Sequence, residues 1–168
     1  QSAWSIEDHS SCDFIKLNKS NLILKKGVRI IKKNVVFEDN YWKISGSHDG
    51  YLKDFKTIHE REIEFYPEQM KFIGFDKLLR KDNSRNTKFD IRFHLDPSSK
   101  VMKTLDNKSI LIELEDEGWK FNCENFDINI DNGLYLGIKN SYKENQNICI
   151  SGVSREESQI IKWEITKL

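Results

Sequence analysis

The strongest constraint on this chain is a succession of short apolar–polar alternations separated by turn signals, which predicts strand after strand. Cys12–Leu17 alternates loosely and runs into a turn-rich break over Asn18–Asn21. Val28–Phe37 is β-branched and ends at the polar Glu38-Asp39-Asn40, and Tyr41–His48 follows, closed by the turn pair Asp49-Gly50. Thr57–Tyr66 has period two with one slip near Glu60-Arg61, which reads as a bulge. Met70–Asp76 reads as its hairpin partner. Asp76–Lys81 is mildly helix-like but short, so a loop is expected there, continuing into the charged stretch Arg80–Asn86. Phe89–Leu95 alternates strictly.

Further short strands are expected near Val101–Leu105, Ser109–Leu114, Trp119–Cys123, Phe126–Ile130, Leu134–Ile138, Gln146–Ile150 and Ile160–Ile165. Turn signals at Asp106-Asn107, Asp116-Glu117-Gly118 and Asp131-Asn132-Gly133 separate them. About a dozen strands without a 3.6-residue period call for an all-β fold, a multi-stranded antiparallel β-sandwich. The 168 residues contain only 2 prolines and no linker-like stretch, so residues 1–168 are expected to form a single domain.

Charge narrows the function classes. The 27 basic and 27 acidic side chains cancel, which disfavours a broad nucleic-acid or anionic-membrane footprint. No apolar run approaches the roughly 20 residues of a membrane span, and no signal-peptide pattern opens the chain. Cys12, Cys123 and Cys149 are an odd set without CxxC spacing, and are expected to be buried thiols. No glycine-rich phosphate loop and no GxSxG elbow occurs, so no cofactor is expected.

Histidine offers the clearest candidates. His48-Asp49-Gly50-Tyr51 brings an imidazole, a carboxylate and a phenol to one strand end. His59 and Arg61 share a strand face unless the bulge intervenes, as do Asp90, Arg92 and His94. Were the two strands neighbours, one sheet face would carry all five. No short ligand pair exists, so no metal is expected, and cross-strand charge pairing is the simpler reading. Trp42, with Tyr41 and Tyr51 near the His48 turn, is the better aromatic candidate for a ligand or interface, whereas Trp119 and Trp163 read as core.

The order of several short stretches resembles the C-terminal β-sandwich part of the heparinase II/III-like polysaccharide lyases. They are Gln1–Trp4, Ser47–Tyr51, His59–Arg61, Ile73–Asp76, Arg92–Pro97, Gly118–Phe121 and Ile161–Glu164. The resemblance implies a sandwich that follows an α/α-toroid, with β-elimination of uronic-acid-containing polysaccharide carried out between the two. It implies an N-terminal toroid of the same protein as partner, and an acidic polysaccharide as a further one. The Asn, His and Tyr residues of that chemistry, and the zinc ligands of some members, belong to parts of the family with no counterpart here. No catalytic residue is therefore carried over. His48, Tyr51, His59, Arg61, Arg92, His94 and Trp42 are expected to bind substrate or to face another domain. The first residue is Gln1 rather than Met, which suits a processed protein or a piece of a longer one. The compartment is left open, although relatives are often periplasmic. A stand-alone carbohydrate-binding module and a purely structural interaction domain are the alternatives.

Overall fold

The computed structural model describes residues 3–16, 22–81, 86–137, 139 and 141–168. The expected break at Asn18–Asn21, most of the loop at Arg80–Asn86, and Ile138 lie outside these residues. Among the described residues there are fourteen strands: β1 (Ala3–Ile6), β2 (Asp13–Lys16), β3 (Leu22–Lys26), β4 (Ile30–Glu38), β5 (Tyr41–His48), β6 (Thr57–Tyr66), β7 (Lys71–Arg80), β8 (Thr87–His94), β9 (Lys100–Lys103), β10 (Ser109–Leu114), β11 (Glu117–Asn122), β12 (Asp127–Tyr135), β13 (Lys143–Ser154) and β14 (Ser158–Lys167). One helical turn, α1 (Leu52–Phe55), joins β5 to β6, and a 3-10 turn at Pro67–Gln69 joins β6 to β7.

The strands form a large sheet ordered β4-β5-β6-β7-β14-β11-β10-β9 and a small sheet ordered β1-β8-β13-β12, with β2-β3 as a separate hairpin. All described pairings are antiparallel, as alternating segments joined by short turns require. The two sheets pack face to face. Phe89, Ile91 and Phe93 of β8 and Ile148 and Ile150 of β13 meet Leu78, Phe121, Ile110, Ile161 and Trp163 of the large sheet. Each fully buried side chain of this size contributes roughly 2–3 kcal/mol. Gly74 is required by this packing: a Cβ there would lie 2.0 Å from the Trp163 ring.

Three local expectations are corrected. Asp76–Lys81 is not a loop: β7 continues to Arg80 because β6 and β14 pair with it on both sides, which overrides the weak helical pattern. The Asp131-Asn132-Gly133 turn signal lies inside β12, paired with Asn147, Gln146 and Asn145 of β13. The pairing of β6 is unbroken through Glu60 and Arg61 with both β5 and β7, so there is no bulge. The slip has another cause: His59 and Arg61 face inward as polar residues, and Ile58 lies on the opposite face.

The two faces of the large sheet differ. Its outer face is laced with ion pairs, including Lys43–Glu62, Lys77–Glu60 and Lys71–Glu164. Its inner face is apolar across the width, with Phe37, Trp42, Phe65 and Phe72 in register on β4 to β7. The small sheet covers only part of that face. Its edge strand β1 lies over β6 and β7, where Trp4 meets Asp76 and the His59 ring. Its other edge lies near β9, where Lys103 donates to Asn129 of β12. The inner face of β4 and β5 is left uncovered, with Phe37 74%, Ile44 61% and Val35 57% exposed.

Candidate functional site

The most unusual feature of the core is a carboxylate at its centre. Asp76 lies on the inward face of β7 and is 0% exposed. An isolated charge there would cost far more than folding supplies, so the surroundings must compensate it. Arg61 does so from β6, donating from Nε to Oδ1 at 2.7 Å and from Nη2 to Oδ2 at 3.0 Å. The Trp4 indole donates to Oδ1 at 2.7 Å and the Trp163 indole to Oδ2 at 2.8 Å. His59 Nε2 completes the set at 2.8 Å from Oδ1. Antiparallel register places these groups together, since Arg61 pairs directly with Asp76, while His59 lies two residues along the same face of β6.

The histidine tautomers follow from the hydrogen-bond network. The Gly50 N–H donates to His48 Nδ1 at 3.2 Å, so that nitrogen is an acceptor. His48 Nε2 therefore carries the hydrogen and donates it to His59 Nδ1, 3.2 Å away. His59 in turn is left with its hydrogen on Nε2, which donates to Asp76. The result is a directed chain from the end of β5 to the centre of the core, through two neutral imidazoles.

For His48 the electrostatics agree with this assignment. Burial alone would raise the Asp76 pKa, but the His59 hydrogen bond and the Arg61 charge and hydrogen bonds outweigh it and hold the carboxyl at about 2. Burial above all pushes His48 down to about 4, against an opposing pull from Asp49 that exceeds the push from Arg61. A proton added to His48 Nδ1 would also face the Gly50 N–H. Tyr51 is 1% exposed and donates its hydroxyl to the Trp4 carbonyl at 2.6 Å. Burial pushes that phenol up to about 12.

The strands carrying the two polar groups are not neighbours. His59 and Arg61 face the interior from the large sheet, whereas Asp90, Arg92 and His94 lie on the outer face of the small sheet. The expectation of one five-residue face is therefore corrected: β6 and β8 belong to different sheets, and the inward positions of β8 are taken by Phe89, Ile91 and Phe93. On that outer face Arg92 contacts Asp90 at 3.3 Å and Ser5 at 3.2 Å, and Ser151 donates to Asp90 at 2.7 Å. Trp42 stands apart, 39% exposed on the inner face of β5, stacked on Phe37 and tilted against Phe65.

The residue that organises the site, Asp76, is not among the sequence candidates, although it ends the Ile73–Asp76 stretch of the resemblance. The signal that could have found it was the inward parity of His59 and Arg61, which demands an inward acid on a neighbouring strand. The arrangement binds, orients and neutralises its own members. The Trp4, Trp163 and His59 donors and Nε and Nη2 of Arg61 are committed to Asp76, and both of its carboxylate oxygens are occupied. Among the described residues no group of three or more His, Cys, Asp or Glu side chains could hold a metal ion. No helix among them is long and apolar enough to cross a membrane.

A cavity of about 410 Å³ opens beside this cluster, with Arg61, Ile63, Phe72, Leu95, Trp119 and Ile165 among its walls. It is the end of the same inner face that continues, uncovered, onto β5 and β4.

Comparison with known proteins bears on this fold. The heparan sulfate lyase HepC from Pedobacter heparinus is similar in structure, with a TM-score of 0.74 at 10% identity, over 99% of this chain and 24% of that one. A crystal structure of heparinase III is similar with a TM-score of 0.65 at 13% identity, over 99% of this chain and 23% of that one. The chain thus spans about a quarter of the length of these solved structures, and at such identities the likeness is one of fold. No curated protein matches the chain in sequence. Residues 2–164 match the family described as "Heparinase II/III-like, C-terminal". With that match covering nearly its whole length, the chain belongs to the heparinase II/III-like C-terminal domain family.

Proposed function

We propose that this domain is the non-catalytic C-terminal sandwich of a longer polysaccharide lyase, packing on an N-terminal α/α-toroid and walling the cleft that holds a uronic-acid-containing polysaccharide. β-Elimination must neutralise the uronate carboxylate, take the C5 proton and protonate the leaving oxygen. The single observation that carries the reading is the saturation of Asp76. Arg61, His59, Trp4 and Trp163 are all spent on it, and Tyr51 is spent on the Trp4 carbonyl. The groups best suited to such chemistry therefore serve to fix β1 and the adjoining strands. The uronate contact falls to residues outside this cluster.

The test compares two polypeptides, the 168-residue chain and the longest product of its gene, on a panel of uronate polymers. Ultraviolet absorbance from unsaturated uronate ends is expected only with the longer product. Lyase activity in the 168-residue chain alone overturns the proposal.

A stand-alone carbohydrate-binding module is the competing reading, and the half-exposed Trp42 is the observation that favours it. It requires saturable binding of an acidic oligosaccharide to the chain itself, lost in Trp42→Ala. The stack of Trp42 on Phe37 and Phe65 weighs against it, because these rings already face one another.

A further inference from the structure

The inner face of β4 and β5 is a core surface without its second layer. Phe37, Trp42, Phe65 and Phe72 form one aromatic row in register across four strands, with ring centroids 5.0, 5.0 and 4.3 Å apart. Val35, Ile44 and Ile63 form a second row beside it, ending at Gly74 under the Trp163 ring. Both rows begin exposed on β4; the second ends at the buried Gly74, and the aromatic row at the half-buried Phe72 in the wall of the cavity. The polarity of the opposite face, with its Lys–Glu pairs, identifies that face as the one built for water. At the border of the apolar rows Lys33 shares the inner face, in register with Gly46 and, beyond it, Arg61. Arg61 is neutralised by Asp76, whereas Lys33 has no ion pair among the described residues.

We infer that this uncovered face seats polypeptide that precedes the domain in the longer protein, as an apolar segment carrying a carboxylate that meets Lys33. The inference rests on the reading of the chain as one domain of a longer lyase. Two observations choose this occupant. The similar solved structures are about four times longer than this chain, which covers 24% and 23% of them, so most of such a protein lies outside the domain. The first strand, β1, is the edge of the small sheet that borders the uncovered face, so whatever leads into Ala3 is delivered beside it.

The occupant is read by thiol labelling of the variant Ile44→Cys in a Cys12→Ser background, since Cys123 and Cys149 are buried. Labelling is expected to be fast in the 168-residue chain and at least about tenfold slower in the longest product of the gene. Lys33→Glu is expected to restore fast labelling in that longer product without changing the rate in the short chain. Equal rates in the two polypeptides overturn the inference, as does a gene that encodes nothing ahead of Gln1. Slow labelling of the short chain that depends on its own concentration also overturns it, by assigning the face to a second copy. Lyase activity measured on the same samples separates the two proposals. An active longer protein whose introduced thiol stays accessible removes the docking face and leaves the lyase reading intact. Protection of that thiol without activity does the reverse.

Discussion

Trp4 donates its indole N–H to the Asp76 carboxylate at 2.7 Å, across 72 positions of sequence. That bond ties the short edge strand β1 to the middle of the large sheet. It is reinforced where Tyr51 donates to the Trp4 carbonyl and where the Trp4 ring lies 4.9 Å from His59. A four-residue strand paired on one side only would otherwise be a weak element.

Asp76→Asn is expected to be strongly destabilising, by about 3–5 kcal/mol, because it leaves Arg61 uncompensated in the core and turns an amide donor toward four donating side chains. Chemical denaturation of the two proteins checks this. A loss below about 1 kcal/mol would mean that the carboxylate is not the centre of the network.

Acid should weaken the fold in two stages. His48 has a folded pKa near 4 against 6.5 in the unfolded chain, so the unfolded chain takes the proton first. Its contribution is complete above pH 6.5 and is lost as pH falls toward 4, at most about 3 kcal/mol once solvent screening of this half-buried ring is discounted. Asp76 acts lower, since its contribution is present above the unfolded value of 3.8 and is lost as pH falls through about 2. His48→Gln, which cannot charge, is expected to flatten the pH 6.5–4 limb and spare the lower one. Denaturation midpoints across that range give the comparison, and an unchanged upper limb in the variant would exclude His48 as its source.

Gly74→Ala is expected to cost about 1–3 kcal/mol or more, since the new methyl group would sit 2.0 Å from the Trp163 ring and must move it off Asp76. The Trp163 indole N–H resonance should shift with the loss of its hydrogen bond. An unshifted resonance and unchanged stability would show that the sheet accommodates the methyl group.

Val35→Lys and Ile44→Lys, both on the uncovered face, should change the stability of the 168-residue chain by no more than about 0.5 kcal/mol each. The same changes at Ile91 or Ile161, which are 0% exposed, should prevent folding. Thermal melts distinguish these outcomes. Strong destabilisation by Ile44→Lys would show that the face is already covered within this chain.

Strand positions were legible because alternation reports which face is wet, and Phe89–Leu95 alternates without a fault. Where two apolar faces meet a wet one, the signal failed. Asp76–Lys81 looked helical because Leu78 points into the core while Leu79 remains on the other face of a paired strand. His59 and Arg61 were legible as a same-face pair, and their parity with Ile63 and Phe65 pointed inward, but Ile58 on the opposite face masked it as a slip in the alternation. The separation of β6 from β8 was beyond the sequence for a different reason: which strands share a sheet depends on pairings between residues far apart in the chain.

An ionised Asp76 within the core holds these elements together, and its titration in the folded protein measures that state directly. Following the Asp76 carboxyl carbon by NMR, with the Trp4 and Trp163 indole protons as reporters, should show it ionised from neutral pH down through pH 4, with a midpoint near 2 or acid unfolding reached first. Protonation of Asp76 in the still-folded chain above pH 4 would contradict a buried, compensated charge at the centre of this fold.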